Sequence, residues 1–242
     1  MTAAEFFGES ANTHAREDVY NHRFLYDLKV AAANRGYHLL SYSANVDHDG
    51  CDIVLDDRDS VERIQLKTKL LQSTTTRWNN IHKFLLRPSY RNWEKFGYEF
   101  DATHGVQGCV VLITIDIESP NAPVSYAFTN SIIIALIAAG LFGKSKGTVS
   151  AAGRILQSLS SGSSRECVAV TAEMFVEARN PDHLLALLNL HSQSMTNWRQ
   201  MCLRYISQTH GGATSDPNLP IDQLADTCLN MIADASGFPR NS

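Results

Sequence analysis

Within NVDHDGCDIVLDDRDSVERIQLKTK, residues 45–69, three side chains could do chemistry together: Asp52, Gln65 and Lys67. The segment reads as two strands, CDIVLD and RIQLKTKLL, joined by a charged connection, DRDSVE, that suits a hairpin. Alternate residues of a strand share a face, so Gln65, Lys67 and Lys69 point one way and Ile64, Leu66 and Leu70 the other. If the turn spans 57–60, Asp56 pairs with Val61. The same ladder then sets Asp52 opposite Gln65, with Cβ atoms about 4.5–5.5 Å apart. An acid, an amide oxygen and an ammonium would converge beside an otherwise apolar sheet. A hard divalent cation wants oxygen ligands and often takes only one or two carboxylates, the rest being water and phosphate oxygens. Asp52 and Gln65 could hold Mg2+ or Mn2+ in that way, and Lys67 could orient a water or neutralise charge growing on a phosphorane. The chemistry this donor set suits is phosphodiester hydrolysis.

Charge distribution points to the partner. From Arg63 to Lys95 eight Lys or Arg stand against one acid, Glu94, in a chain whose net charge is −4. Such segregation is an electrostatic footprint for phosphates and makes DNA the expected ligand. Lys69, Arg77, Lys83, Arg87 and Arg91 are the expected nucleic-acid contacts. Trp78, Tyr90 and Trp93 interleave with them and could pack on sugars or bases, or equally anchor the core.

These residues need a frame to hold them. A chain of 242 residues, 44% hydrophobic and 19% charged, is long enough to bury a sizeable core. Residues 12–34 read as a helix with Tyr20, Phe24, Leu28 and Ala31 on one face, stopped by Gly36. A short strand over 37–42 precedes the hairpin, and 76–100 reads as helical pieces broken at Pro88. VQGCVVLITID is a near-continuous apolar run, as expected of a strand covered on both faces, and VSYAFT is a second strand. A buried helix over 131–142, a strand CVAVTAEMFV and a helix DHLLALLNLH follow. Two amphipathic helices, around NWRQMCLRYIS and IDQLADTCLNMIA, close the chain. The expected class is α/β, mixed with α+β features. A core domain over 1–190 is followed by a C-terminal helical extension over 191–242. The longest apolar run, Ile132 to Phe142, falls short of the roughly 20 residues a membrane span needs, and the first thirty residues carry no secretory pattern. Five scattered cysteines without C-x-x-C or zinc-finger spacing read as reduced thiols of a cytoplasmic protein.

The glycine turn, D-I-V-L on one strand and Q-L-K on the next resemble the PD-(D/E)xK nuclease superfamily, most of all the Q-x-K form found in Mrr-type restriction endonucleases. The likeness covers the order of elements from about Asn12 to Thr129. It implies a restriction-endonuclease-like central mixed sheet flanked by helices, with a C-terminal helical annex. It also implies a divalent-metal-dependent DNA endonuclease of restriction or anti-phage defence, with Asp52, Gln65 and Lys67 as its catalytic residues. In that family an acid on the first helix often completes the metal site; Glu17 is the matching residue, with Asp18 behind it. This chain departs in having Gln65 where most relatives carry an acid, and in lacking a proline before Asp52. A carboxylate at position 65 would be expected to bind the metal more tightly. The glutamine also keeps a second reading open, a nuclease-like fold retained as a nucleic-acid-binding or interaction module. Cutting both strands of a duplex asks for a homodimer or higher assembly, with the tail helices as contacts, or for a defence-system partner protein.

One further motif competes. AAGLFGKS, residues 138–145, satisfies a relaxed phosphate-loop pattern. A working loop of that kind needs a strand before it and a helix after it. The preceding TNSIIIALIAA reads instead as a buried helix ending at Gly140 and Gly143, so the match is expected to be accidental.

Overall fold

In the computed structural model, which describes residues 2–43, 50–98, 104–191, 197–210 and 220–238, a short helix α1 (Ala3–Gly8) leads into the long α2 (Thr13–Ala33). Helix α2 buries Tyr20, Phe24, Leu28 and Ala32, an apolar stripe at helical spacing. There follow β1 (Leu40–Ser43), β2 (Ile53–Asp56), β3 (Val61–Leu70), β4 (Arg77–His82) and α3 (Lys83–Leu86). Next come β5 (Cys109–Ile115), β6 (Val124–Thr129), α4 (Ser131–Ala138) and α5 (Lys146–Leu159). The chain continues through β7 (Cys167–Thr171), β8 (Val176–Ala178), α6 (Pro181–Leu187), α7 (Trp198–Thr209) and α8 (Ile221–Ser236).

Six strands form one mixed sheet in the order β1-β2-β3-β5-β6-β8, and β4 with β7 forms a separate two-stranded sheet. Only the β3–β5 pairing is parallel; the neighbours on either side are antiparallel. Every residue of β5 except Thr114 is buried, as its β-branched run requires. On one face the Phe24 ring of α2 meets Tyr126 at 5.9 Å, and the Trp198 ring of α7 meets Phe128 at 6.1 Å. Register puts Tyr126 and Phe128 on the same face as Ile113, Val111 and Leu66. Gln65, Lys67, Val110 and Leu112 therefore occupy the opposite face, where β4 approaches.

Several elements differ from the sequence expectation. Residues 77–82 form a strand rather than a helical piece, because Trp78 and Ile81 find buried places and backbone partners on β7, far away in the chain. The run expected as one strand from Cys167 divides at a turn over 172–174, which lets β7 join β4 and β8 join β6. Helix α5 was not expected. Ser145 caps it by accepting from the Thr148 amide at 3.2 Å, and Ala152, Ile155 and Leu159 are buried. The tail helices are not a separate annex either. Trp198 is fully buried with its indole donating to the Ala186 carbonyl at 3.1 Å, and one apolar cluster runs from Tyr20 to Ala235. The expected boundary between 190 and 191 is thus crossed by the core itself. Among the described residues no helix is long and apolar enough to cross a membrane.

An ion pair fastens α7 to the sheet. The Arg199 Nη1 donates to Glu62 Oε2 at 2.7 Å and Nη2 donates to the Leu187 carbonyl at 3.1 Å, with the guanidinium 5.8 Å from the Phe128 ring centroid. Glu62 is almost wholly buried. Burial pushes its carboxyl above the usual range, while Arg199 pulls in the opposite direction. Breaking one half of such a pair strands a charge in the interior and costs about 3–5 kcal/mol, whereas an apolar replacement of both halves is often neutral. Arg199→Met is expected to lower the urea unfolding free energy by about that much. The double change Glu62→Leu with Arg199→Met should regain most of the loss. A double variant as unstable as the single one would show that the pair is not the fastening.

Candidate active site

The hairpin that carries Gln65 and Lys67 is fixed by its own turn. Asp57 Oδ1 accepts from the Asp59 and Ser60 amides at 3.0 and 2.7 Å, and Arg58 takes a left-handed φ of 77°. Asp57 Oδ2 in turn accepts from the His191 backbone amide at 2.8 Å, tying the turn to the end of α6. With the turn held there, β2 and β3 pair in the expected register, Asp56↔Val61 through Ile53↔Ile64.

At Asp52 the ladder gives way to side-chain bonding. The Asp52 amide donates to the Ile64 carbonyl at 2.9 Å, and Asp52 Oδ2 accepts from the Leu66 amide at 2.7 Å. Leu66 lies between Gln65 and Lys67 on β3, whose side chains share a face two residues apart. The carboxylate is thereby held beside both. Among the described residues, Lys67 forms no hydrogen bond or ion pair, and it is half-buried.

Gln65 is buried on the same face, 4% exposed. Its Nε2 donates to the Asn80 carbonyl of β4 at 3.1 Å, and its equally buried Oε1 accepts from no donor among the described residues. The amide orientation follows from chemistry, since a carbonyl oxygen can only accept and so selects the NH2 end. A bulge makes this contact. Asn79 and Asn80 together oppose the single Ala169 between the pairs Trp78↔Val170 and Ile81↔Val168. Such a bulge re-aims the local backbone. A buried oxygen without a donor is costly unless something else satisfies it. The side chain that carries it shares its face of β3 with Lys67.

The turn before Asp52 packs tightly against β4. Gly50 has a φ of +67°, and a Cβ there would fall 2.5 Å from the His82 ring. Only glycine meets both demands. The contact brings His82 next to the chain entering Asp52. Neither His82 nor the Asn80 carbonyl was marked by the sequence, for their roles arise from contacts some thirty and fifteen residues distant in the chain. Residues 44–49, which hold most of the NVDHDG turn, lie outside the described residues.

The other expected site residues are placed differently. Glu17 sits on α2, which covers the sheet face opposite to that of Gln65 and Lys67, and its carboxylate lies 3.8 Å from His14 on its own helix. Asp18 lies 3.5 Å from His22 in the same way. The structure does not bring either to Asp52. Lys83 and Arg87, expected to contact DNA, are buried structural cations instead. Lys83 pairs with Glu166 at 2.7 Å. Arg87 donates to the carbonyls of Leu159, Ser161 and Gly162 at 2.7–2.8 Å, closing the last turn of α5. Arg77 and Arg91 are exposed, and Lys69 is half-buried on the face of Gln65. Trp78 is a core residue packed against Phe175 at 5.5 Å, Trp93 is half-buried, and Tyr90 is exposed. The AAGLFGKS stretch follows helix α4 rather than a strand, and its Ser145 is engaged in capping α5. A groove of about 1200 Å3 between this stretch and α8 is lined by Phe142, Lys144, Phe175 and Asp226, away from Asp52, Gln65 and Lys67.

As a cation site the arrangement offers the Asp52 carboxylate and the donorless Gln65 oxygen, both oxygen ligands of the hard type Mg2+ prefers. Among the described residues no group of three or more His, Cys, Asp or Glu could hold a metal. No family model, no curated protein and no solved structure matches this chain.

The Asn80 contact constrains what position 65 can carry. A carboxylate at 65 would set an acceptor against the Asn80 carbonyl unless protonated. In a Q65E variant the folded carboxyl should therefore titrate above its unfolded value. Its stabilising contact is complete at pH below the unfolded value and is lost as pH rises through the folded one. Relative to wild type, Q65E is expected to lose about 1–3 kcal/mol between pH 4 and pH 8. Parallel melting curves for the two proteins across that range would refute the Asn80 constraint.

Proposed function

We propose that this chain is a divalent-metal-dependent DNA endonuclease of the PD-(D/E)xK type in its Q-x-K form. The observation that carries the reading is the buried Gln65 Oε1, without a donor among the described residues, on the face Gln65 shares with Lys67, while the Asp52 carboxylate is held by the amide of Leu66 between them. The order helix, three-strand meander, then a strand parallel to the third supports the restriction-endonuclease-like arrangement that the sequence resemblance implies.

In this reading Asp52 and Gln65 would hold Mg2+ or Mn2+, and the ion would supply Lewis-acid activation of the scissile phosphate. Leu66 fixes the Asp52 carboxylate through its amide, and Asn80 fixes the Gln65 amide. Lys67, with no partner of its own among the described residues, is placed to orient the attacking water and to offset charge on the phosphorane. Exposed or half-exposed Arg63, Lys69, Arg77 and Arg91 attract the DNA backbone. The proposal keeps the setting implied by the resemblance, cytoplasmic restriction or anti-phage defence with a defence-system partner. A second copy is required where both strands of a duplex are cut.

A second reading, a nuclease fold that binds nucleic acid without cutting it, is favoured by one placement. Glu17 lies on the far side of the sheet and leaves two oxygen ligands rather than three. Purified protein with plasmid DNA and Mg2+ or Mn2+ separates the two. Cleavage should appear and fall by about 10²–10³ in Asp52→Asn and in Lys67→Met, with DNA binding retained. Cleavage surviving in both variants would defeat the assignment, and binding without cleavage in wild type would establish the second reading. Affinity should fall steeply with salt, and Arg91→Glu should weaken it. Arg87→Met should instead lower the melting temperature and leave the affinity of the folded protein intact.

A further inference from the structure

The face that carries Gln65 and Lys67 does not end at them. Register sets two more rows of side chains on that face. Tyr42, Val54 and Arg63 form the row next to Gln65, and Leu40, Asp56 and Val61 the row beyond. Successive rows are about 7 Å apart along the strands. The β4–β7 layer covers the sheet over β3 and β5, where Val110 and Leu112 are buried, but none of the described elements covers this face of the β1–β2–β3 wing. Leu40, Tyr42 and Val61 are 39%, 52% and 54% exposed there. Arg63 is exposed, Lys67 and Lys69 are half-buried, and none of the three has a hydrogen-bond or ion-pair partner among the described residues.

An aromatic ring flanked by aliphatic side chains is a platform for a flat apolar surface, and the adjoining row of cations suits phosphates. A nucleic-acid base offers that flat surface only when it is unstacked. Inside a duplex both of its faces are already covered by neighbouring base pairs. The combination therefore selects a particular kind of nucleic acid rather than nucleic acid in general.

We propose that the open face of β1, β2 and β3 binds an unpaired nucleotide beside the scissile phosphate, with Tyr42 stacking on its base and Arg63 holding its phosphate. The substrate class is then single-stranded DNA or the unpaired part of a branched or frayed duplex, for which one copy of the chain suffices. The assignment of the scissile position rests on the nuclease reading; the stacking platform does not.

Fluorescence anisotropy in EDTA, with a labelled 12-nucleotide single strand and a blunt duplex of the same sequence, tests it without cleavage. Wild type is expected to bind the single strand more tightly. Tyr42→Ala should weaken the single strand about tenfold and the duplex less than twofold, while Tyr42→Trp keeps the affinity. Arg63→Gln should weaken binding of the single strand and flatten its salt dependence. Tyr42 is exposed, so the variants should melt with wild type. The proposal is overturned if wild type binds neither oligonucleotide, or if Tyr42→Ala alters neither affinity or both equally. It is also overturned if Tyr42→Ala changes only the sedimentation coefficient, which would give the face to a second copy of the chain. Added Mg2+ or Mn2+ then tests the nuclease reading separately. Tyr42-dependent binding without any cleavage sinks that reading and leaves the platform standing.

Discussion

Strand β3 carries a polar side chain into each of the two layers that sandwich it, and both have to be satisfied away from water. On one side Glu62 meets Arg199 of α7; on the other Gln65 meets the Asn80 carbonyl of β4. The first contact draws the C-terminal helices onto the sheet and makes them part of one core. The second draws the small β4–β7 sheet over the opposite face and halts it beside Lys67. A strand buried on both faces normally carries apolar residues throughout. The two buried polar residues of β3, Glu62 and Gln65, are where the layers are pinned.

Those pins explain why the site has its present form. Asn80 demands a donor, and an amide has both a donor for Asn80 and an oxygen left over for the site. A glutamate would have oxygen at both ends. Glutamine at 65 is therefore consistent with its surroundings. The bulge at Asn79–Asn80 and the close approach of His82 to Gly50 bind the same strand to both halves of the site, the hairpin strand and the turn leading into Asp52. The open wing beyond, with Tyr42 and Arg63, is the part of that face the small sheet leaves uncovered.

Charge counting along the chain found the basic segment but not the division of labour within it. Lys83 and Arg87 belong to the same run as Arg77 and Arg91, yet they point inward and close the α5–β7 connection. A guanidinium with three carbonyl partners and no solvent contact serves the fold. The cations left for phosphates are fewer than the run suggests, and Arg63, at its start, stands on the open face.

Local pattern in the sequence was enough for α2, the β2–β3 register, the doubly covered β5 and the buried α4. Each depends on periodicity or turn chemistry within a few residues, such as the Asp57 side chain closing its own turn. The same alternation and turn length set Gln65 and Lys67 on one face of β3 and fixed how β2 pairs with it. Tertiary structure decided what depends on partners distant in the chain. Residues 77–82 became a strand only because β7 was there to pair with them, and Glu17 went to the far face because α2 packs by its Phe24 stripe. The Gln65 amide acquired its orientation from a carbonyl fifteen residues away. Spacing can place a side chain on a face, but what that face meets is settled by packing between layers, which no local pattern encodes.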